Sequence, residues 1–171
     1  MTVRGSSAAA TLVVAALALV CVAAHAVESD PLPVPADTSR AQAVTTYNAG
    51  VKLLLDRDFA AAQARFEAAL ALDERFAEAH NNLAFCLRMQ SSRNYARALS
   101  HYDRAIALKP ALAVAYVYRG ALLAQMGETA RARADHARLL SLDRDLAAQL
   151  DAVIVHGGAG YVRGGVAAQV D

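Results

Sequence analysis

Residues 94–110 read NYARALSHYDRAIALKP, and within them Ala98, Tyr102, Ala105 and Leu108 recur three or four positions apart before Pro110. That spacing puts four apolar side chains on one face of a helix, and the proline just beyond them cannot continue it. The same series stands at two other places in the chain. Thirty-six residues upstream lie Ala62, Phe66, Ala69, Leu72 and Glu74, and thirty-four downstream lie Ala132, His136, Leu139, Leu142 and Arg144. A partner helix repeats as well, through Ala49-Gly50 and Leu53, then Leu83-Ala84 and Leu87, then Gly120 and Leu123. One helical hairpin is therefore written three times.

Working outward, helical periodicity runs from about residue 40 to residue 154 without strand-like alternation, broken at Asp56-Arg57-Asp58, Gln90 to Asn94, and Gly127. Helices are expected at roughly 40–55, 59–72, 76–90, 95–108, 112–126, 128–142 and 145–155. Ser39-Arg40-Ala41-Gln42 fits a capping box, which places the first helix start near Ser39. The segment Leu146 to Ile154 begins like another first helix but gains no second. It is expected to cap the last apolar face.

This pattern resembles the tetratricopeptide-repeat family, whose unit is a helix-turn-helix of about 34 residues with small and aromatic residues at set intervals. The resemblance implies an all-α, right-handed α-solenoid: repeats at about 43–76, 77–112 and 113–146, then a capping helix at 145–155. The middle copy carries two extra residues, placed in the turn Gln90 to Asn94. Gly50, Ala84 and Gly120 are small where two helices approach, and Phe66 and Tyr102 fill the remaining space. Arg119 and His136 stand in the third copy at places that are usually apolar.

The resemblance also implies a function. First helices of such hairpins line a concave groove that holds peptides or partner segments. The matching positions here are Tyr47, Asn48, Val51, Asn81, Asn82, Phe85, Arg88, Met89, Val117, Tyr118 and Gln125. Family members that clamp a terminal carboxylate use lysines, an arginine and asparagines. Here those places hold Tyr47, Val51, Asn82, Val114 and Tyr118, of which only Asn82 fits. Asn48 and Asn82 occupy equivalent places, like the asparagine ladder of the family's glycosyltransferases, although asparagine is common there in many copies. On this reading Asn82 pairs with a ligand's backbone over an apolar floor of Tyr47, Phe85 and Met89.

Outside the repeats, residues 1–26 join Arg4, an apolar run from Ala8 to Ala24 broken only by Thr11, and Ala24-His25-Ala26. These are the parts of a secretory signal peptide. Cleavage after Ala26 is expected, with an uncleaved membrane anchor as the alternative and a lipoprotein signal disfavoured by bulky Val20 before Cys21. The chain is thus expected to be exported, to a bacterial periplasm or to the inner membrane facing it. Residues 27–38, with Pro31, Pro33 and Pro35, read as a stiff linker, and the glycine-punctuated residues 156–171 as a flexible tail.

Without the leader, basic and acidic residues are equal in number. Such a near-neutral chain offers no field for nucleic acid. One cysteine, Cys86, remains, which excludes an internal disulfide and leaves it a buried small hydrophobe or a route to self-association. His80, His101, His136 and His156 fall on different elements without zinc-site spacing. The run Arg131 to Arg138 reads as a solvated helix face. VIVHGGAGYVRGG, at 153–165, glances at a dinucleotide loop but leaves too little chain for the unit that follows one. No cofactor, no metal and no catalysis are expected. The reading is an interaction scaffold, or alternatively a membrane-anchored or self-associating subunit of an envelope complex.

Overall fold

A computed structural model describes residues 36–156. Among the described residues every regular element is helical: α1 (Ala36–Leu55), α2 (Phe59–Leu72), α3 (Ala77–Gln90), α4 (Tyr95–Leu108), α5 (Ala113–Gln125), α6 (Thr129–Leu142) and α7 (Arg144–Val155). Each apolar-periodic segment has become one helix. The extra residues of the middle copy form a short 3₁₀ turn, Ser92–Asn94, with the Ser91 hydroxyl accepting from the Arg93 amide. No helix among these residues is long and apolar enough to cross a membrane. The leader at 1–26, most of the linker and nearly all of the tail lie outside the described residues.

The first helix departs from expectation. It starts at Ala36, so Ser39 sits inside its first turn rather than at its cap, and residues 36–38 are helix rather than linker. The physical reason lies just upstream. Pro35 cannot lie within a helix but suits its entrance, and Asp37 in the first turn meets the positive end of the helix dipole.

Turn chemistry repeats as faithfully as the core. After α1, Arg57 adopts φ 63°, and after α5 the equivalent Gly127 adopts φ 81°. Both turns close with the same pair of bonds: Arg57 N–H to the Leu54 carbonyl and Asp58 N–H to Leu53, then Gly127 N–H to Ala124 and Glu128 N–H to Leu123. This is the left-handed helix stop, in which two otherwise orphaned carbonyls find donors. Asp58 then caps α2 through the Ala61 amide, and Asp143 caps α7 through the amides of Asp145 and Leu146.

Helices pack in sequence order. α1 pairs with α2, α3 with α4, and α5 with α6, while α2 leans on α3 and α4 on α5. α3 also approaches both α1 and α5, whereas the backbones of α2, α4 and α6 stay apart from one another. First helices therefore lie on the inside of the stack and second helices on the outside, as in an α-solenoid. Ala62, Ala98 and Ala132 are all fully buried, as are Phe66 and Tyr102. The intervals in residues 94–110 are set by these helix contacts.

Two glycines show how tight the contacts are. A Cβ on Gly50 would come within 2.8 Å of the Phe66 ring, in its own hairpin. A Cβ on Gly120 would meet Leu150 of α7 at 2.5 Å and Asp135 at 3.3 Å, so this glycine admits the capping helix above all. α7 covers α5 and α6 with Ala147, Leu150 and Val153 buried beneath it.

The third hairpin corrects one reading. Arg131, Arg133 and Arg138 are exposed, but Asp135 in the same run is only 3% exposed. Its carboxylate receives the Arg119 guanidinium twice, from Nε at 3.0 Å and from Nη2 at 2.5 Å, while Arg119 Nη1 reaches Asp103 of α4 at 2.7 Å. Burial opposes the charge of Arg119, yet its bonds to Asp135 and Asp103 outweigh that cost and raise its pKa. The two apparent misfits of the third copy are thus handled differently: Arg119 is paired across three helices, and His136 stays half-buried.

Candidate peptide-binding face

The inner face is built by α1, α3 and α5, and the groove positions expected from the repeats fall on it at two depths. Below the surface, Tyr47 is fully buried, packing its ring on Phe66 and Phe76 at centroid distances of 5.5 and 4.7 Å. Its hydroxyl accepts from the Asn82 amide at 2.9 Å, and the Asn82 carbonyl oxygen in turn accepts from Asn81 at 3.0 Å. Asn81 and Asn82 are each 2% exposed. Asn82 therefore does not wait for a ligand's backbone. It ties α3 to α1 across thirty-five residues of sequence, and with Tyr47 it forms a supporting layer rather than an apolar floor. Burial raises the Tyr47 pKa, so the phenol stays protonated.

Nearer the surface stand Phe85, Arg88 and Tyr118, largely buried, with Met89 and Gln125 exposed. Phe85 makes an edge contact with Phe59 at 6.2 Å and packs on Tyr118 at 5.2 Å, which itself meets Tyr102 at 6.4 Å. Val51 and Val117 are buried beside this aromatic row, and Asn48 is half-buried with its side-chain oxygen lacking a donor. Exposed apolar side chains cluster at one end of the first helices: Leu55 on α1, Met89 on α3, and Met126 just after α5. Leu55 and Met89 hold equivalent repeat positions.

Cys86 is fully buried, and burial pushes its thiol up to about 12. Such a thiol is protonated at neutral pH and sterically shut off, which closes the route to self-association through it. No group of three or more metal-capable side chains forms among the described residues.

One polar pair escaped the sequence reading. His80 of α3 and His101 of α4, twenty-one residues apart, bring their Nδ1 atoms to 3.0 Å with rings 29° from parallel. His80 Nε2 lies 3.0 Å from the Glu74 carbonyl, which can only accept, so His80 is protonated there and presents a bare Nδ1 to a proton on His101 Nδ1. Burial lowers both pKa values. Arg104 lowers that of His80 further, His80 and Arg97 that of His101, while Glu74 and Glu67 respectively work the other way. Both positions abut the hairpin's core residues, but scattered histidines give no spacing signal, and a contact between side chains of two helices is not encoded in the periodicity of either.

The arrangement of paired helices is shared with solved structures. The first TPR of Spaghetti (RPAP3), bound to HSP90 peptide SRMEEVD, superposes with a TM-score of 0.62 at 20% identity, over 68% of this chain and 94% of that one. The fold is that of a tetratricopeptide-repeat domain. The Yersinia enterocolitica type III secretion chaperone SycD, in complex with a peptide of the translocator YopD, gives a TM-score of 0.59 at 16% identity, covering 66% of this chain and 88% of that one. The P58(IPK) TPR domain gives 0.60 at 24% identity, over 68% of this chain and 32% of that longer one. No family model and no curated protein matches the sequence.

Proposed function

We propose that this chain is an exported, non-catalytic scaffold that holds a peptide or partner segment against the inner face of α1, α3 and α5, serving envelope assembly or secretion. The observation that carries this reading is the row of Phe85, Met89 and Tyr118 on the inner helices, flanked by exposed Leu55 and Met126. Apolar and aromatic side chains at an accessible edge are what a partner segment's anchors require. Support comes from the fold as well, because RPAP3 and SycD carry their peptides on the same architecture. Export rests on the leader at residues 1–26.

The test is capture of partners from an envelope extract by the chain and by two variants. Phe85→Ala should weaken capture of the same partner roughly five- to a hundred-fold through lost apolar contact, while Arg133→Ala on the outer α6 leaves it unchanged. Loss with Arg133→Ala and retention with Phe85→Ala would move the binding surface to the outside. For localisation, the N-terminus of protein purified from cells should be Val27; an intact leader would favour the anchored alternative.

A further inference from the structure

Two arginines are withdrawn from solvent in this fold, and their surroundings are opposite. Arg119 has the carboxylates of Asp135 and Asp103. Arg88, 8% exposed, has no carboxylate within ion-pair reach among the described residues. Its Nε donates to a neutral acceptor, the Gln125 side-chain oxygen, at 3.2 Å, and its Nη1 is buried with no acceptor. The hydroxyl of fully buried Tyr102 interacts with the Arg88 guanidinium without the geometry of a formed hydrogen bond, and meets no other acceptor or donor. The nearby end of α3 contributes the partial negative charge of its carbonyls, but that supplies no acceptor for Nη1.

Buried guanidinium groups are stable when their donors meet carboxylates, and a desolvated cation left with a neutral amide is the costly arrangement. Here a positive charge and two donors without a formed hydrogen bond, Arg88 Nη1 on α3 and the Tyr102 hydroxyl on α4, sit together. Phe85, Tyr118 and exposed Met89 border them on the inner face. The missing element is an anion with room for two hydrogen bonds. Gln125, exposed and held here by the single bond to Arg88, is the side chain whose rotation would admit one.

We infer that the segment held on the inner face carries an aspartate or glutamate between apolar residues, its carboxylate received by Arg88 and the Tyr102 hydroxyl while its neighbours rest on Phe85, Met89 and Tyr118. This rests on the peptide-holding function proposed above and names its partner's chemistry. It also differs from a terminal-carboxylate clamp, because the places of such a clamp are occupied by Tyr47, Val51, Val114 and Tyr118.

Selection of displayed random twelve-residue peptides on the full chain tests it. Enriched peptides should share an acidic residue at one fixed place among apolar ones. A synthetic copy of the strongest peptide should bind about ten- to a hundred-fold more weakly when its acid is changed to the matching amide, because a charged hydrogen bond is lost. On Arg88→Gln that difference should shrink below about threefold, and on Arg88→Lys part of it should return. The amide substitution lies on the peptide, so it reports even if Arg88→Gln folds poorly. Enriched peptides lacking an acid, or equal binding of the acid and amide forms, would overturn the inference and leave the peptide-holding function standing. Competition by millimolar inorganic phosphate as effective as by the peptide would reduce the site to a free-anion site and overturn it too. If nothing is enriched, the peptide-holding function falls and takes this inference with it.

Discussion

Apart from the exposed Arg97–Glu67 pair at 3.7 Å, the junction between the first two hairpins and the junction into the third are held by different chemistry. α1 and α3 are joined by neutral groups, the Tyr47 hydroxyl and the Asn82 and Asn81 amides, set among Phe66 and Phe76. α4, α5 and α6 are joined by charge, with Arg119 between Asp103 and Asp135. A neutral network loses only its hydrogen bonds when a member is removed. An ion pair loses its partner's compensation as well. The third hairpin, although covered by α7, is thus the part most sensitive to single changes of charge.

The largest effect should come from breaking that charge pairing. Asp135→Ala leaves Arg119 largely buried with only the more exposed Asp103, and should destabilise by about 3 kcal/mol in urea midpoints. Replacing Arg119 and Asp135 together by leucine should cost far less, within about 1 kcal/mol of the parent, since the desolvation of both charges disappears with them. Equal losses for the single and double variants would show that packing, rather than uncompensated charge, sets the sensitivity.

Overpacking ranks next and touches both regions through the shared small positions. Ala98→Leu must place extra carbons in the fully buried crossing between helices and should cost about 1 to 3 kcal/mol. Arg97→Ala, exposed on the same helix, should cost under about 0.5 kcal/mol. The reverse order in melting temperature would dissolve the alignment of the three copies.

At the neutral junction, Asn82→Ala should cost about 1 to 2 kcal/mol by removing the bonds to Tyr47 and Asn81. That loss should change little between low and high salt. A loss as large as that of Asp135→Ala would erase the contrast between the junctions.

Which of these features could be read from the amino acids depends on their range. Helix positions and the small-residue crossings are written in local periodicity, so Gly50, Ala62 and Ala98 could be placed by spacing alone. Arg57 and Gly127 share a turn despite their different side chains, and only the break in periodicity marked both. The Tyr47–Asn82 bond, the His80–His101 pair and the Arg119–Asp135 pair each join residues of different helices through side-chain reach, which periodicity does not encode. Asp135 in particular sits in a run of arginines that looks solvated, and only Arg119 opposite makes its burial tolerable. The inner-face residues were identified, but repeat position does not separate the exposed Met89 from the supporting Asn82.

The smallest expected effect belongs to the histidine pair in the middle hairpin. Both folded pKa values lie below the 6.5 of the unfolded chain, so as pH falls through that value the unfolded state takes up more protons. Stability from the pair is therefore complete above about pH 6.5 and declines below it. His101→Gln should flatten the pH dependence of the urea midpoint between about pH 7 and pH 5. An unchanged slope would assign the acid sensitivity to other groups.

The most direct test of the central claim, that partners are held on the inner face, is a photo-crosslinking amino acid placed in living cells at Met89 on α3 and, separately, at Arg133 on α6. Both positions are exposed, so neither should disturb the core. Discrete adducts to the same partner from position 89 and none from position 133 are the predicted result. Adducts to that partner from position 133 with none from position 89 would contradict it.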